Sequence, residues 1–190
     1  MTNLLVASGK ILDVENLDKD DITLADIAAG LANSIRYRGG LGVPLTVAQH
    51  CIMLSHWSGF TTDERRLALL HDAAEAYLGD IPSPVKLLDA FAPYRQLENG
   101  ILGIIYDKYD ISEEHWETER VSRADQAIRE VECAMFTVNR KWLDKLGFFK
   151  AAADIKHGFD CGSANMRTVL NTYMARNAFL ERAEELGIHD

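Results

Sequence analysis

The chain is short of cysteine, of net positive charge and of long apolar runs, and each shortage excludes a class of protein. Its 190 residues include three cysteines, Cys51, Cys133 and Cys161, and no two of them are closely spaced. An odd number of widely spaced cysteines argues against a disulfide framework and against a cysteine-based zinc site. We therefore expect reduced thiols and a cytoplasmic protein.

Acidic residues outnumber basic ones by 29 to 20, which gives a formal net charge of -9. This sign does not favour attraction to a nucleic-acid backbone, so we expect no nucleic-acid partner. The opening segment MTNLLVASGK lacks a cationic region followed by a long apolar one, and no apolar stretch is long enough to span a bilayer. We expect neither a signal peptide nor a membrane partner, whereas a small phosphorylated ligand is compatible with a locally positive site.

Internal repeats, low-complexity tracts and linkers rich in proline or glycine are also missing from the sequence. A chain of this length can bury a core as one unit, so we predict a single domain over residues 1–190. The run from Val6 to Val14, around Ser8-Gly9-Lys10, suggests a short β-hairpin within residues 1–20. The remainder is predicted to be all-α, a compact helical bundle with short connections.

Apolar residues recur at helical spacing from Thr23 onward, and three threonines are followed three residues later by a side chain that could complete a helix cap. These pairs are Thr23 with Asp26, Thr46 with Gln49, and Thr61 with Glu64. The predicted helices run from Thr23 to a break at Gly39-Gly40, from Thr46 to about Trp57, from Thr61 to Gly79, from Pro84 onward, over about 94–109, from Ser112 to about Trp142, and from about Ser163 to Glu185.

Two histidines and two aspartates lie in helices that are otherwise rich in apolar residues. His50 occurs in TVAQHCIMLSH, His71 is followed at once by Asp72, and Asp125 occurs in VSRADQAIREVE. Burying carboxylates among apolar side chains is costly unless a metal or another cation accompanies them. Imidazole and carboxylate are suitable ligands for a divalent transition metal, so the pattern indicates a metal site built from several helices.

The order His, His-Asp, Asp resembles that of the HD superfamily of phosphohydrolases. The segment HDAAEAYLGDIPSPVK, residues 71–86, is similar to the signature of bacterial 5′-deoxynucleotidases and phage deoxynucleoside triphosphohydrolases in that superfamily. IRYRGGLGVPLTVAQHC, residues 35–51, is similar to their Arg-aromatic element and first metal histidine, and RADQAIREVE to the region of the last metal aspartate. The resemblance covers roughly residues 24–140.

The resemblance implies a bound divalent metal ion. A site of two histidines and two aspartates can bind Co, Mn, Zn, Fe or Mg. The implied metal ligands are His50, His71, Asp72 and Asp125. Glu75 and Asp80 would be the carboxylates that handle protons, since phosphoester cleavage needs an activated water and a proton for the leaving oxygen. Which of the two serves which purpose stays open at the level of sequence.

The resemblance also implies a set of substrate-binding residues. Arg36 and Lys86 would neutralise phosphate oxygens, with Arg38 as a further phosphate contact. Tyr37 stands where bacterial nucleotidases of this kind have tryptophan, and its ring could stack on a base or pack beside the sugar. Pro82 would form a wall of the nucleoside pocket.

The implied activity is hydrolysis of the 5′ phosphoester of a 2′-deoxynucleotide, preferably a dNTP similar to dATP, with release of triphosphate. A 5′-deoxynucleotidase acting on dNMPs is the alternative, because both reactions break the same ester bond. Hydrolysis of a signalling nucleotide and a non-catalytic HD binding shell are more distant alternatives. The resemblance further implies a homo-oligomer, and the host cytoplasm as its location for a protein of phage origin.

Overall fold

The computed structural model describes residues 2–112, 118–136 and 168–190 of the chain. Its strands are β1 (Asn3–Leu5) and β2 (Ile11–Asp13), and its helices are α1 (Leu24–Asn33), α2 (Val47–Ser55), α3 (Thr62–Leu70), α4 (Glu75–Leu78), α5 (Ser83–Lys86), α6 (Ala92–Lys108), α7 (Glu119–Phe136) and α8 (Thr172–Glu185). Short 3-10 turns occupy Arg36–Gly39 and Asp89–Phe91. The predicted all-α bundle with a short amino-terminal hairpin is confirmed.

The hairpin is antiparallel, and the side chain of Asp26 fastens it to the first helix. Leu5 pairs with Ile11 across the two strands. The carboxylate of Asp26 accepts hydrogen bonds from the Ser8 backbone N–H at 2.7 Å and from the Ser8 hydroxyl at 2.9 Å. Thr23 caps α1 as predicted, since its hydroxyl accepts from the Asp26 N–H at 3.1 Å. The Asp26 carboxylate binds Ser8 in the hairpin turn and accepts from the Thr23 hydroxyl, so it does not bind the Thr23 backbone N–H as the second half of a capping box would.

The first helix ends earlier than predicted, at Asn33 and not at Gly39. Ser34 and Ile35 are extended, and Ile35 forms an isolated antiparallel bridge with Thr46. The Arg36 N–H donates to the Leu45 carbonyl at 2.9 Å, which satisfies the backbone outside the helix. A local bridge therefore replaces the last predicted turn of the helix, and it sets Arg36 at the base of a tight loop.

The helix predicted from Thr61 to Gly79 is wrong as a single element, because it divides into α3 and α4. Thr61 and Glu64 form the predicted capping box at the start of α3. After Leu70 the backbone turns tighten, with the Ala73 N–H donating to the Leu70 carbonyl and the Glu75 N–H donating to the Asp72 carbonyl, both at 2.9 Å. His71 and Asp72 consequently lie in a break between two helices, which brings adjacent side chains toward one site.

Two other predicted boundaries need correction or fall partly outside the described residues. The segment predicted from Ser112 to Trp142 contains α7, while residues 113–117 and 137–142 lie outside the described ranges. Residues 168–171 are not helical, and α8 begins at Thr172 behind Asn171, whose side chain accepts from the Met174 N–H at 2.9 Å. The predicted start at Ser163 also lies outside the described residues.

The core lies where α1 packs against α2, α4 and α8, with α2 packed against α3 and α7. Its fully buried side chains include Ile27, Leu31, Leu45, Met53, Leu54, Leu69 and Phe179. Gly30 is required at the contact of α1 with α4, since a Cβ there would lie 2.5 Å from the Ala76 carbonyl oxygen. This close approach fixes α4, and with it Glu75, relative to the core.

Cys51 and Cys133 are buried free thiols, and Cys161 lies outside the described residues. Within residues 2–112, 118–136 and 168–190, no helix combines the length and the apolar character needed to cross a membrane.

Candidate metal centre

Four side-chain donor atoms from three parts of the chain converge at the junction of α2, the break after α3, and α7. The Nε2 atoms of His50 and His71 lie 3.3 Å apart. Asp72 Oδ2 lies 3.2 Å from the His71 Nε2 and 3.6 Å from the His50 Nε2. Asp125 Oδ1 lies 3.2 Å from the His50 Nε2 and 3.9 Å from the His71 Nε2.

Three of these five separations are those of atoms that share one metal ion. With metal–ligand bonds of about 2.0–2.2 Å, neighbouring ligands of a tetrahedral or octahedral ion are roughly 3.0–3.5 Å apart. His50, His71 and Asp72 could hold a metal ion, since their donor atoms all lie within 4.8 Å of one another. Asp125 is not part of this three-residue group, but its Oδ1 lies 3.2 Å from the His50 Nε2 and 3.9 Å from the His71 Nε2, so it borders the group as the candidate fourth ligand.

The hydrogen bonds of the two imidazole rings also favour a cation at the centre. The His71 Nδ1 lies 2.9 Å from the Ala68 carbonyl, which can only accept, so this nitrogen carries the proton. The His50 Nδ1 lies 2.6 Å from the Glu132 carboxylate, which is likewise an acceptor. In the neutral rings both Nε2 atoms therefore present lone pairs to each other and to two carboxylates, an arrangement that a divalent ion stabilises.

The carboxylates of the cluster are held in their ionised form. Burial alone would raise the pKa of Asp72, but a protonated His71 ring, together with Arg36, lowers this pKa well below its usual range. Burial would likewise raise the pKa of Asp125, while its contacts with the imidazole rings of His50 and His71 hold this pKa low. A metal ion at the centre would act in the same direction.

Arg36 lies beside the cluster, but its guanidinium is engaged by two carboxylates. Its Nη1 donates to Asp72 Oδ2 at 3.4 Å, and its Nε lies 3.3 Å from Glu132 Oε2. The second contact is an ion pair without hydrogen-bond alignment, since the buried Nε has no hydrogen-bond partner among the described residues. Burial lowers the pKa of Arg36, but Glu132 and Asp72 more than offset this, so it stays cationic.

Tyr37 and Arg38 follow in a loop with unusual backbone angles. Their φ values are 55° and 53°, in the left-handed region that side chains of this size rarely adopt. The Tyr37 hydroxyl donates to Glu132 Oε2 at 2.5 Å, which ties the ring inward, whereas Arg38 is exposed. The predicted substrate contacts of these residues stay predictions, and the hydroxyl of Tyr37, to which the sequence analysis gave no role, binds Glu132.

Glu75, the first predicted acid–base carboxylate, is buried at the start of α4 and paired with Lys86. The Lys86 Nζ donates to Glu75 Oε1 at 2.8 Å and to Glu98 Oε1 at 2.5 Å. Burial raises the pKa of Glu75, and Asp72 raises it further, while Lys86 only partly offsets them. Glu75 Oε2 is buried and has no hydrogen-bond partner within the described part of the chain.

Asp80 and Pro82, which the sequence assigned to catalysis and to the pocket wall, lie in the connection between α4 and α5. Both are partly exposed. Burial raises the pKa of Asp80, and Arg36 offsets part of this effect. Gly79, with a φ of 80°, ends α4 in a conformation suited to glycine and so directs the chain into this connection.

Glu132 is a site residue that the sequence interpretation missed. It is completely buried on α7, seven residues after Asp125 and therefore on the same side of the helix. Burial alone would raise its pKa, but His50 and Arg36 lower this pKa below its usual range, so the buried group is ionised. The sequence signal for its burial was its position between Val131 and Cys133, and the structure buries both of these neighbours.

A cavity of about 260 Å³ adjoins the cluster and shares His71 and Asp125 with it. Its other lining residues are Leu67, Thr118, Val121, Ser122, Gln126 and Arg129. Arg129 forms an ion pair with Asp125 Oδ2 one turn earlier on α7. The cavity thus offers a cation, an amide and hydroxyl groups next to the candidate metal centre, and none of these residues was singled out in the sequence.

Comparison with known proteins gives two bacterial relatives, and no family model matches the chain. The chain is 37% identical over 113 residues to the uncharacterized protein YfdR of Escherichia coli strain K12. The matched region covers 58% of this chain and 60% of YfdR. It is also 37% identical over 86 residues to the uncharacterized protein RCAP_rcc00048 of Rhodobacter capsulatus. This second match covers 42% of this chain and 44% of that protein. The chain therefore spans roughly half of the length of these curated relatives. Neither name assigns an activity, so function is inferred from the side chains of the cluster.

Proposed function

We propose that this chain is a metal-dependent phosphohydrolase of the HD type that cleaves the 5′ phosphoester of a 2′-deoxynucleotide. The observation that carries the proposal is the convergence of Asp72 and Asp125 on the facing imidazoles of His50 and His71, with each carboxylate 3.2–3.9 Å from both Nε2 atoms. Imidazole and carboxylate donors in this number leave coordination positions for water and for a phosphate oxygen.

A divalent ion would supply Lewis acidity and lower the pKa of water, the two requirements of phosphoester hydrolysis at neutral pH. The protein's own contribution begins with holding the ligands in place. His71 is fixed by its hydrogen bond to the Ala68 carbonyl and Asp72 by Arg36. Such fixed ligands reduce the reorganisation needed during the reaction.

Glu75 is our candidate for proton transfer. Lys86 holds one of its carboxylate oxygens, and the other has no hydrogen-bond partner among the described residues. We assign to that second oxygen, which is buried and unengaged in the described part of the chain, the task of orienting the attacking water or protonating the leaving 5′ oxygen once substrate enters the site. Asp80, in the connection after Gly79, is the second candidate for the same work.

The cavity beside His71 and Asp125 is our candidate for part of the substrate site. Arg129, Gln126 and the hydroxyl of Ser122 line it, and these groups can donate hydrogen bonds to phosphate oxygens. Its volume of about 260 Å³ is below the roughly 300–1,000 Å³ of most small-molecule pockets, so it would hold only part of a nucleotide. The resemblance of residues 71–86 to phage enzymes favours a dNTP similar to dATP, with a dNMP as the second candidate.

A product assay tests the proposal. The protein, loaded with Co²⁺, Mn²⁺ or Mg²⁺, is incubated with each dNTP, each dNMP and the matching ribonucleotides, and the products are separated by chromatography. Deoxynucleoside with tripolyphosphate from dNTPs supports the preferred reaction, and deoxynucleoside with phosphate from dNMPs supports the second. Metal-loaded protein that leaves every deoxynucleotide intact overturns both, and a cyclic dinucleotide and (p)ppGpp then test the signalling-nucleotide alternative.

A further inference from the structure

Glu132 is a fully buried carboxylate behind His50, on the side of the imidazole away from the cluster. Its Oε1 lies 2.6 Å from the His50 Nδ1, while its Oε2 accepts from the Tyr37 hydroxyl and lies 3.3 Å from the Arg36 Nε. An ionised carboxylate is retained in a protein interior only when charged and hydrogen-bonding partners surround it. Glu132 has three such partners, and one of them is a candidate metal ligand.

We infer that Glu132 is a positioning residue that fixes the tautomer and orientation of His50, so that the His50 Nε2 lone pair faces a divalent metal ion. The inference rests on the metal-dependent function proposed above. A carboxylate can only accept a hydrogen bond, so its partner Nδ1 must carry the ring proton. The Nε2 atom is then left as a lone pair, at 3.3 Å from the His71 Nε2 and 3.2 Å from Asp125 Oδ1.

Arg36 extends this control to a second ligand. Its Nη1 donates to Asp72 Oδ2, and its Nε faces Glu132 Oε2. One buried cation therefore joins a carboxylate of the cluster to the carboxylate that holds His50. Outer partners of this kind orient metal ligands, and their loss typically weakens metal binding by about 10–100-fold.

The loop at Tyr37 supplies an independent observation. Tyr37 and Arg38 both adopt left-handed backbone angles, a conformation that is retained when surrounding contacts outweigh its strain. The Tyr37 hydroxyl bond to Glu132 is such a contact. The loop thus delivers a hydrogen-bond donor to the carboxylate at a conformational cost, as expected if the position of Glu132 has to be held accurately.

The central test is Glu132→Gln, which preserves size but removes the charge. An amide can accept from the His50 Nδ1 or donate to it, so the ring tautomer is no longer dictated. We expect Co²⁺ and Zn²⁺ affinity, measured by competition with a chromophoric chelator, to fall by about 10–100-fold. We also expect ring ¹⁵N NMR of His50 to change from a single Nδ1–H tautomer in the metal-free protein to a mixture.

Two further variants separate positioning from a merely structural role. Glu119→Gln changes the same residue type on the same helix, but Glu119 is exposed and pairs with Arg123, so metal affinity and the His50 tautomer should not change. Tyr37→Phe removes one hydrogen bond and leaves the carboxylate charged. It should keep the tautomer while lowering metal affinity by a few-fold, and it remains informative where Glu132→Gln does not fold.

A folded Glu132→Gln protein with wild-type metal affinity and an unchanged His50 tautomer would overturn the inference, as would wild-type protein that binds no divalent ion. If Glu132→Gln does not fold, wild-type metal affinity in Tyr37→Phe overturns it instead. These readouts need no nucleotide. Protein that binds metal in a Glu132-dependent way but hydrolyses no nucleotide would contradict the proposed function and leave the inference standing.

Discussion

His50 and His71 present their Nε2 atoms to each other at 3.3 Å, although one belongs to α2 and the other to the break after α3. The orientation of each ring is fixed by the hydrogen-bond acceptor at its Nδ1. This acceptor is Glu132 for His50 and the Ala68 carbonyl for His71. Two neutral imidazoles in this arrangement would oppose their lone pairs at close range. The relationship is favourable when a proton or a metal ion lies between them, and the carboxylates of Asp72 and Asp125 beside both rings favour the metal ion, which motivates the following predictions.

Replacing Asp72 by alanine should abolish both metal retention and turnover. Asp72 Oδ2 is the carboxylate atom nearest to the His71 Nε2, at 3.2 Å. We expect metal affinity to fall by more than about 100-fold, since even outer partners of metal ligands are worth ~10–100-fold. Metal content after gel filtration measures the loss. Asp63→Ala, an exposed aspartate in the first turn of α3, is the control and should retain the metal.

Replacing Glu75 by glutamine should leave the metal in place and slow the reaction. A positioned proton-transfer group contributes about 10²–10⁴-fold to the rate, so kcat should fall by that factor while KM changes little. Glu98→Gln is a matched control, because Glu98 binds the same Lys86 from α6. Equal losses of kcat in the two variants would mean that the ion pairs of Lys86 matter, and not the carboxylate of Glu75.

Replacing Arg129 by glutamine should weaken nucleotide binding more than it slows turnover. A hydrogen bond from a charged group contributes about 1.5–3 kcal/mol, which corresponds to a rise in KM of roughly 10–100-fold. Because Arg129 also pairs with Asp125, the kinetics are measured at saturating metal. Arg123→Gln, on the exposed side of α7, should leave KM unchanged. An unchanged KM in Arg129→Gln would remove the cavity from the substrate site.

Two glycine-to-alanine variants should have opposite effects on stability. Gly30→Ala places a Cβ 2.5 Å from the Ala76 carbonyl oxygen, so α1 and α4 must separate. We expect a loss of about 1–3 kcal/mol in the free energy of unfolding. A Cβ at Gly100, inside α6, meets nothing within 4 Å, and Gly100→Ala should stabilise by about 0.5–1 kcal/mol. Urea denaturation measures both changes, and equal stabilities would contradict the close packing at Gly30.

Local patterns predicted the elements well where the chain's short-range chemistry decides the structure. Helical spacing and the caps at Thr46 and Thr61 gave the positions of α2 and α3, and the turn around Gly9 gave the hairpin. The break after Leu70 could not be predicted this way. His71 keeps helical backbone angles, φ -61° and ψ -30°, so apolar spacing continues across the tightened turns.

The grouping of His50, His71 and Asp72 that could hold a metal ion was predictable because His71 and Asp72 are adjacent in a distinctive segment. Glu132 was not, since its partners His50 and Tyr37 are 82 and 95 residues away and a glutamate on a helix is usually solvated. Arg36 was assigned to phosphate by resemblance alone. Its contacts with Asp72 and Glu132 depend on the packing of three distant segments, which no local pattern encodes.

The most direct test of the central claim is removal and return of the metal. The protein is treated with a chelator, dialysed, and assayed for deoxynucleoside release from dNTPs and dNMPs before and after addition of Co²⁺ or Mn²⁺, beside Asp72→Ala. We predict no release from the metal-free protein, recovery with about one bound ion per chain, and no recovery in Asp72→Ala. Full release from metal-free protein, or none from the reloaded wild type, would contradict the account.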